Sequence, residues 1–128
     1  MQEKDKKGAI LIIDDEEVMR KFSKDTLEPL GYEVLIAADG SEGVRLFSEN
    51  MERIALVVLD MIMPSKGGKE TFWKIKELRP QAKILICSGY GDAAYYDELF
   101  QGREDGFLAK PFTHPDFLAK FDEAMKRK

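Results

Sequence analysis

A chain of 128 residues that is 44% hydrophobic has the size of one domain and enough apolar residues for one core. Its 24 acidic against 20 basic residues give a net charge of −4 and a pI near 5.1, which argues against general binding to a nucleic-acid backbone. A single cysteine, Cys87, excludes an internal disulfide, and no CxxC or HExxH spacing serves zinc; the cytoplasm is the expected compartment, with neither export signal nor membrane span.

Residues 1–8 read as a flexible N-terminal segment. Ala9–Ile13 is short, β-branched and free of polar residues, the pattern of a strand covered on both faces, and it ends in Asp14-Asp15. From Val18 the apolar residues take a helical step through Phe22 to Thr26, and Pro29 with Gly31 supplies a stop. Glu33–Ala37 predicts a second strand, and Ser41–Asn50 a helix carrying Val44 and Phe47, with Met51 next in step. Ile54–Leu59 is the most apolar strand and runs into Asp60; a loop with Pro64, Gly67 and Gly68 leads to a helix with Phe72, Ile75 and Leu78. Lys83–Cys87 predicts a fourth strand ending in Ser88, followed by a weaker helix over Asp92–Phe100. Gly106–Ala109 is a short fifth strand ending in Lys110-Pro111, and Pro115–Lys126 a last helix burying Phe117, Phe121 and Met125. Five strand–helix alternations predict a parallel sheet between layers of helices, one doubly wound α/β domain over 9–126 with a tail at 127–128.

Ligands of such sheets bind beyond the carboxyl ends of the strands, where the winding reverses. The polar residues sit at those ends: Asp14 and Asp15, Asp60, Ser88 and Lys110. With strand order 2-1-3-4-5, the three carboxylates converge. An N-cap explains one acid after a strand, but it explains a pair less well, and Asp60 is followed by Met-Ile-Met-Pro and not by a helix. Two such charges about 4 Å apart at an effective ε of ~20 repel by roughly 4 kcal/mol. The cluster therefore calls for a cation, and open oxygen ligands suit Mg2+. Lys110 and Ser88 add a compact positive charge and a hydroxyl, completing what in-line phosphoryl transfer to an aspartate needs.

The runs Ile12-Ile13-Asp14-Asp15-Glu16, Leu59-Asp60-Met61-Ile62-Met63-Pro64, Gly67-Gly68, Ile86-Cys87-Ser88-Gly89 and Gly106 to Phe112 resemble, in order and spacing, the receiver domains of two-component response regulators. The resemblance spans about Ile10 to Met125 and implies a flavodoxin-like (βα)5 fold. It implies that Asp60 is the phosphoacceptor, that Asp15 ligates Mg2+ directly and Asp14 mostly through water, and that the Ile62 carbonyl completes the protein ligands. Ser88 would bind a phosphoryl oxygen, Lys110 would bridge the phosphate and Asp60, and Ser88 with Phe107 would form the conformational switch. Phe107 lacks a hydroxyl, so an inward rotamer would be held by packing alone. The donor implied is a sensor histidine kinase or a histidine phosphotransfer protein, with no nucleic acid or membrane as partner and room for a homodimer through the fourth helix, fifth strand and fifth helix. The Ser-Gly-Tyr run at 88–90 is similar to receivers of hybrid histidine kinases.

Other signals carry less. Gly89 to Ala94 satisfies GxGxxG/A, but on the fourth strand and without the ribose-binding acid about twenty residues on. His114 reads as a capping or surface residue, Cys87 as a buried apolar one, and Tyr95, Tyr96, Leu99 and Phe100 as core packing of the fourth helix. Two rival functions are a Mg2+-dependent aspartyl-phosphate phosphohydrolase, which lacks its second acid because residue 62 is Ile, and a phosphorylation-independent interaction domain. The expected output is a conformation, not turnover.

Overall fold

The computed structural model describes residues 7–62 and 67–127, so Met63 and Pro64, most of the N-terminal segment and Lys128 lie outside the described residues. Five strands, β1 (Ala9–Ile13), β2 (Glu33–Ala37), β3 (Ile54–Asp60), β4 (Ile84–Ser88) and β5 (Phe107–Ala109), form a parallel sheet of order β2-β1-β3-β4-β5. They alternate with α1 (Glu17–Leu27), α2 (Gly40–Glu49), α3 (Gly68–Leu78), α4 (Ala93–Leu99) and α5 (His114–Lys126). This is the expected flavodoxin-like winding.

The period-two alternation of the central strands divides the apolar residues between two cores. Leu11, Ile13, Val57, Leu59, Ile84 and Ile86 face α2, α3 and α4, where Phe47, Phe72, Ile75, Tyr96 and Phe100 cover them. Ile10, Ile12, Leu56, Val58, Leu85 and Cys87 face α1 and α5, covered by Met19, Leu27, Phe117, Phe121 and Ala124. Burial on both faces is why β1 is apolar throughout and β4 is apolar up to Ser88, whereas the burial of β2, at the edge, alternates.

One helical phase differs from expectation. In α1 the buried residues are Met19, Ser23 and Leu27, and Val18 is 81% exposed. The strand-to-helix turn sets the rotation of the helix: Glu16 occupies the N-cap and Met19 and Arg20 bond back to its carbonyl, which turns position 19 toward the sheet. Met125 of α5 is only partly buried. α5 starts one residue early, on a capping box between Thr113 and Asp116.

The ladder register fixes the site. Ile13 pairs with Leu59, so Asp14 and Asp60 leave the sheet side by side; Asp60 pairs with Cys87 and Ser88 with Ala109, so Ser88 and Lys110 follow in the same row. Gly68 lets the start of α3 close on that row, since a Cβ there would lie 2.6 Å from Met61 Cα and 3.0 Å from the Asp60 carbonyl oxygen. Among the described residues no helix is long and apolar enough to cross a membrane.

Candidate functional site

Asp14 and Asp60 are buried at the carboxyl ends of β1 and β3, and Asp15 is exposed beside them. One carboxylate oxygen from each of the three lies within 4.8 Å of the others. Backbone amides hold two of the side chains: Glu16 N–H donates to Asp14 Oδ1 at 2.9 Å and Ile62 N–H to Asp60 Oδ1 at 3.3 Å. Arg20 donates to the Asp14 carbonyl at 2.8 Å, tying α1 to the end of β1. Asp14 is thus a bonded acceptor inside the turn, while the N-cap position belongs to Glu16.

Lys110 reaches across from the end of β5. Its Nζ lies 2.9 Å from Asp14 Oδ2, 3.1 Å from Glu16 Oε1 and 3.7 Å from Asp60 Oδ1. Burial disfavours the ammonium, but the bond to Asp14, the charges of Asp14 and Asp60 and the bond to Glu16 outweigh it and raise its pKa. Asp60 moves the opposite way from a salt-bridged acid. Burial and then the Asp14 charge push it up to about 7, against the pull of Lys110 and the Ile62 amide. One ammonium shared among three acids does not neutralise the cluster.

Ser88, buried at the end of β4, accepts from Tyr90 N–H at 3.0 Å and stands 3.0 Å from the Tyr96 hydroxyl, which itself lies 2.7 Å from the Tyr90 carbonyl. Phe107 is partly buried and stacks on Tyr96 with centroids 5.3 Å apart. Ile62 is 59% exposed at the mouth of an open cleft of about 450 Å3 lined by Asp15, Glu16, Asp60, Gly89, Tyr90 and Lys110 as well. Of the residues selected from sequence, Asp14, Asp15, Asp60 and Lys110 meet at the strand ends, Ile62 lines the cleft, Ser88 ends β4 in the same row, and Phe107 lies apart from the cleft, behind Tyr96. Two further residues join them that their sequence context does not reveal: Glu16, within the first acidic motif, is a partner of Lys110, and Tyr96, at a core position of α4, meets Ser88 through its hydroxyl. Neither partnership has a local sequence signal: Glu16 meets a lysine 94 positions away, and Tyr96 meets Ser88 through the turn between them.

Cys87 is buried and its thiol pushed up to about 12, mainly by burial, the state of an unreactive core cysteine. His114 opens α5 and packs edge-on against Phe22.

The (βα)5 sheet carries its buried acids, lysine and hydroxyl at the switch point, where ligands of doubly wound domains bind, and leaves the site open to solvent. The model of the response regulator receiver domain matches residues 10–122, and the chain belongs to that family, the receiver domains of two-component signalling. It is 36% identical over 104 residues to the chemotaxis protein CheY of Thermotoga maritima, covering 80% of this chain and 85% of that protein. It is 28% identical to the sensor kinase CckA of Brucella abortus over 94% of this chain but only 13% of that kinase. Among solved structures, a response regulator receiver domain protein from Clostridium thermocellum superposes with a TM-score of 0.83 at 34% identity, covering 94% and 95% of the two chains. The response regulator TrrA of Thermotoga maritima, solved in complex with Mg2+ and BeF, superposes with a TM-score of 0.77 at 30% identity, covering 91% and 98%.

Proposed function

We propose that this domain, spanning residues 9–126, accepts a phosphoryl group from a phosphohistidine donor onto Asp60. The observation that carries the reading is the position of that carboxylate: buried, lining an open cleft, with oxygens of Asp14 and Asp15 within 4.8 Å and the Lys110 ammonium 3.7 Å away. A carboxylate oxygen of Asp60 attacks the phosphorus of the donor, the bond to the histidine nitrogen breaks, and the acyl phosphate carries about −1.5 to −2 charge. Lys110 takes up part of that charge, and Ser88 donates its hydroxyl to a phosphoryl oxygen.

The acid cluster fits Mg2+. A hexa-coordinate Mg2+ spans about 4.2 Å across opposite oxygens, so oxygens lying within 4.8 Å of one another serve one centre after a small side-chain adjustment or with one ligand bridged by water. Asp15, Asp60 and the Ile62 carbonyl would hold it directly and Asp14 mostly through water. When bound, it supplies charge neutralisation for the phosphoryl oxygens. The complex of TrrA with Mg2+ and BeF supports this reading. The donor is a sensor histidine kinase or a histidine phosphotransfer protein in the cytoplasm; similarity to a stretch of CckA supports a phosphorelay setting. In this reading the domain promotes its own phosphorylation and hydrolysis, and its output is a conformation.

Incubation with acetyl phosphate and Mg2+ should add one phosphoryl mass to the intact chain, and Asp60→Asn should abolish the addition while the circular dichroism spectrum is retained. Undiminished labelling of Asp60→Asn would remove Asp60 from the role.

A further inference from the structure

The hydroxyl of Ser88 is already engaged. Tyr96 has one phenolic proton and two oxygen neighbours, the Tyr90 carbonyl at 2.7 Å and Ser88 Oγ at 3.0 Å. A carbonyl can only accept, so the shorter contact takes the phenol proton. The Ser88 contact is then made by the serine's own O–H donating to Tyr96 Oη. Tyr90 N–H donates to Ser88 Oγ at 3.0 Å and closes the circuit. The result is a ring of three bonds running in one direction, from the Tyr90 amide through Ser88 and Tyr96 back to the Tyr90 carbonyl.

Four features hold the ring in place. Tyr96 is 2% exposed, so its phenol depends on protein partners. Phe107 stacks on its face. Gly91, at φ +81°, brings the chain so close that a Cβ there would stand 3.0 Å from the Tyr96 ring. The Asp92 side chain caps α4 at Tyr95 N–H and fixes where the helix begins.

A phosphoryl oxygen only accepts, so Ser88 cannot donate to it while donating to Tyr96. We propose that Tyr96 is a positioning residue for phosphoryl transfer, acting through Ser88: it holds the serine proton away from Asp60 until a phosphoryl group competes for it, and thereby lends from α4 the phenol that Phe107 lacks on β5. Release of Ser88 leaves a buried phenol oxygen without its donor, so the change at the site is felt in α4. This rests on the phosphoacceptor reading above.

The test is titration of the full chain with beryllofluoride in the presence of Mg2+, together with the rate of labelling by acetyl phosphate. Tyr96→Phe removes one oxygen and keeps the ring stack; it should raise both by about 2- to 10-fold, the worth of one hydrogen bond no longer given up. In a Ser88→Ala background the same change should have no effect, a dependence that a merely structural tyrosine would not show. Should Tyr96→Phe fail to fold, the Tyr96 ring signals of the wild-type chain, followed by NMR, should shift when beryllofluoride binds with Mg2+, and unchanged signals overturn the proposal. An unchanged or lower affinity in Tyr96→Phe, or an equal gain without Ser88, overturns the proposal and leaves the phosphoacceptor reading standing. A wild-type chain that binds no beryllofluoride with Mg2+ overturns both.

Discussion

Replacing Asp60 by Asn should stabilise the metal-free domain. The Asp60 carboxyl, 4% exposed, is pushed from 3.8 up to about 7 by burial and by Asp14. Between those pH values the folded chain keeps a proton that the unfolded chain has released, so unfolding releases a proton and stability falls as pH rises through this window. At 1.36 kcal/mol per pH unit the loss is about 4 kcal/mol once the pH exceeds 7. Asn carries no charge, keeps an oxygen for the Ile62 amide and offers an N–H to Asp14. In EDTA at pH 8 the variant should therefore melt higher than wild type, by on the order of 10 °C for a domain of this size. The gap should shrink toward zero as the pH falls to about 4 and below, where the folded carboxyl is neutral and the unfolded one takes up its proton as well. Differential scanning calorimetry in EDTA across that range reads both quantities. A gap that does not change with pH, or a wild type that is the more stable at pH 8, would refute the electrostatic argument.

Mg2+ should raise the wild-type melting temperature, by the equivalent of about 2.7 kcal/mol when present at 100 times its Kd, and should do much less for Asp60→Asn; a melting curve unmoved by the metal counts against the cation assignment. Lys110→Ala should destabilise the metal-free domain by about 3 kcal/mol, because it strips a partly buried ammonium from three carboxylates, and Mg2+ should restore much of the loss; calorimetry with and without the metal checks both. Gly68→Ala should cost about 1–3 kcal/mol in urea denaturation and slow labelling by acetyl phosphate, since the added methyl lands on Met61 Cα and the Asp60 carbonyl. Normal stability and labelling in that variant would show that α3 can recede from the site without consequence.

Strand patterns were legible because burial on both faces leaves little choice: Ala9–Ile13 and Ile54–Leu59 admit no polar residue, and the first polar side chain after each is an acid of the cluster at the strand ends. Topology then did the rest. Once β1 and β3 are neighbours in register, Asp14 and Asp60 must emerge together, which is why residues 46 positions apart could be assigned to one cluster from sequence. Helical phase was less legible. The step Val18, Phe22, Thr26 is as regular as Met19, Ser23, Leu27, and Ser23 in the true buried set weakens its apolar signal. Only the backbone turn at Glu16, which no periodicity encodes, decides between them.

Partnerships of polar groups were the least legible, for the same physical reason. A hydrophobic face announces itself by repetition, but a hydrogen-bonded ring such as Tyr90, Ser88 and Tyr96 depends on one oxygen in a side chain otherwise indistinguishable from core. Tyr96 packs between Phe100 and Phe107 as a phenylalanine would. Its ring belongs to the core beneath the sheet and its hydroxyl to the site at the strand ends, so a pattern that classifies residues as apolar or polar must misplace one half of it. Lys110 presents the complementary case. Its charge marked it for the site, yet the same pattern says nothing of how that charge divides among Asp14, Glu16 and Asp60. Burial and the Asp14 charge, against which a shared Lys110 pulls only in part, push Asp60 up to about 7, so the metal-free domain should be sensitive to both protons and cations.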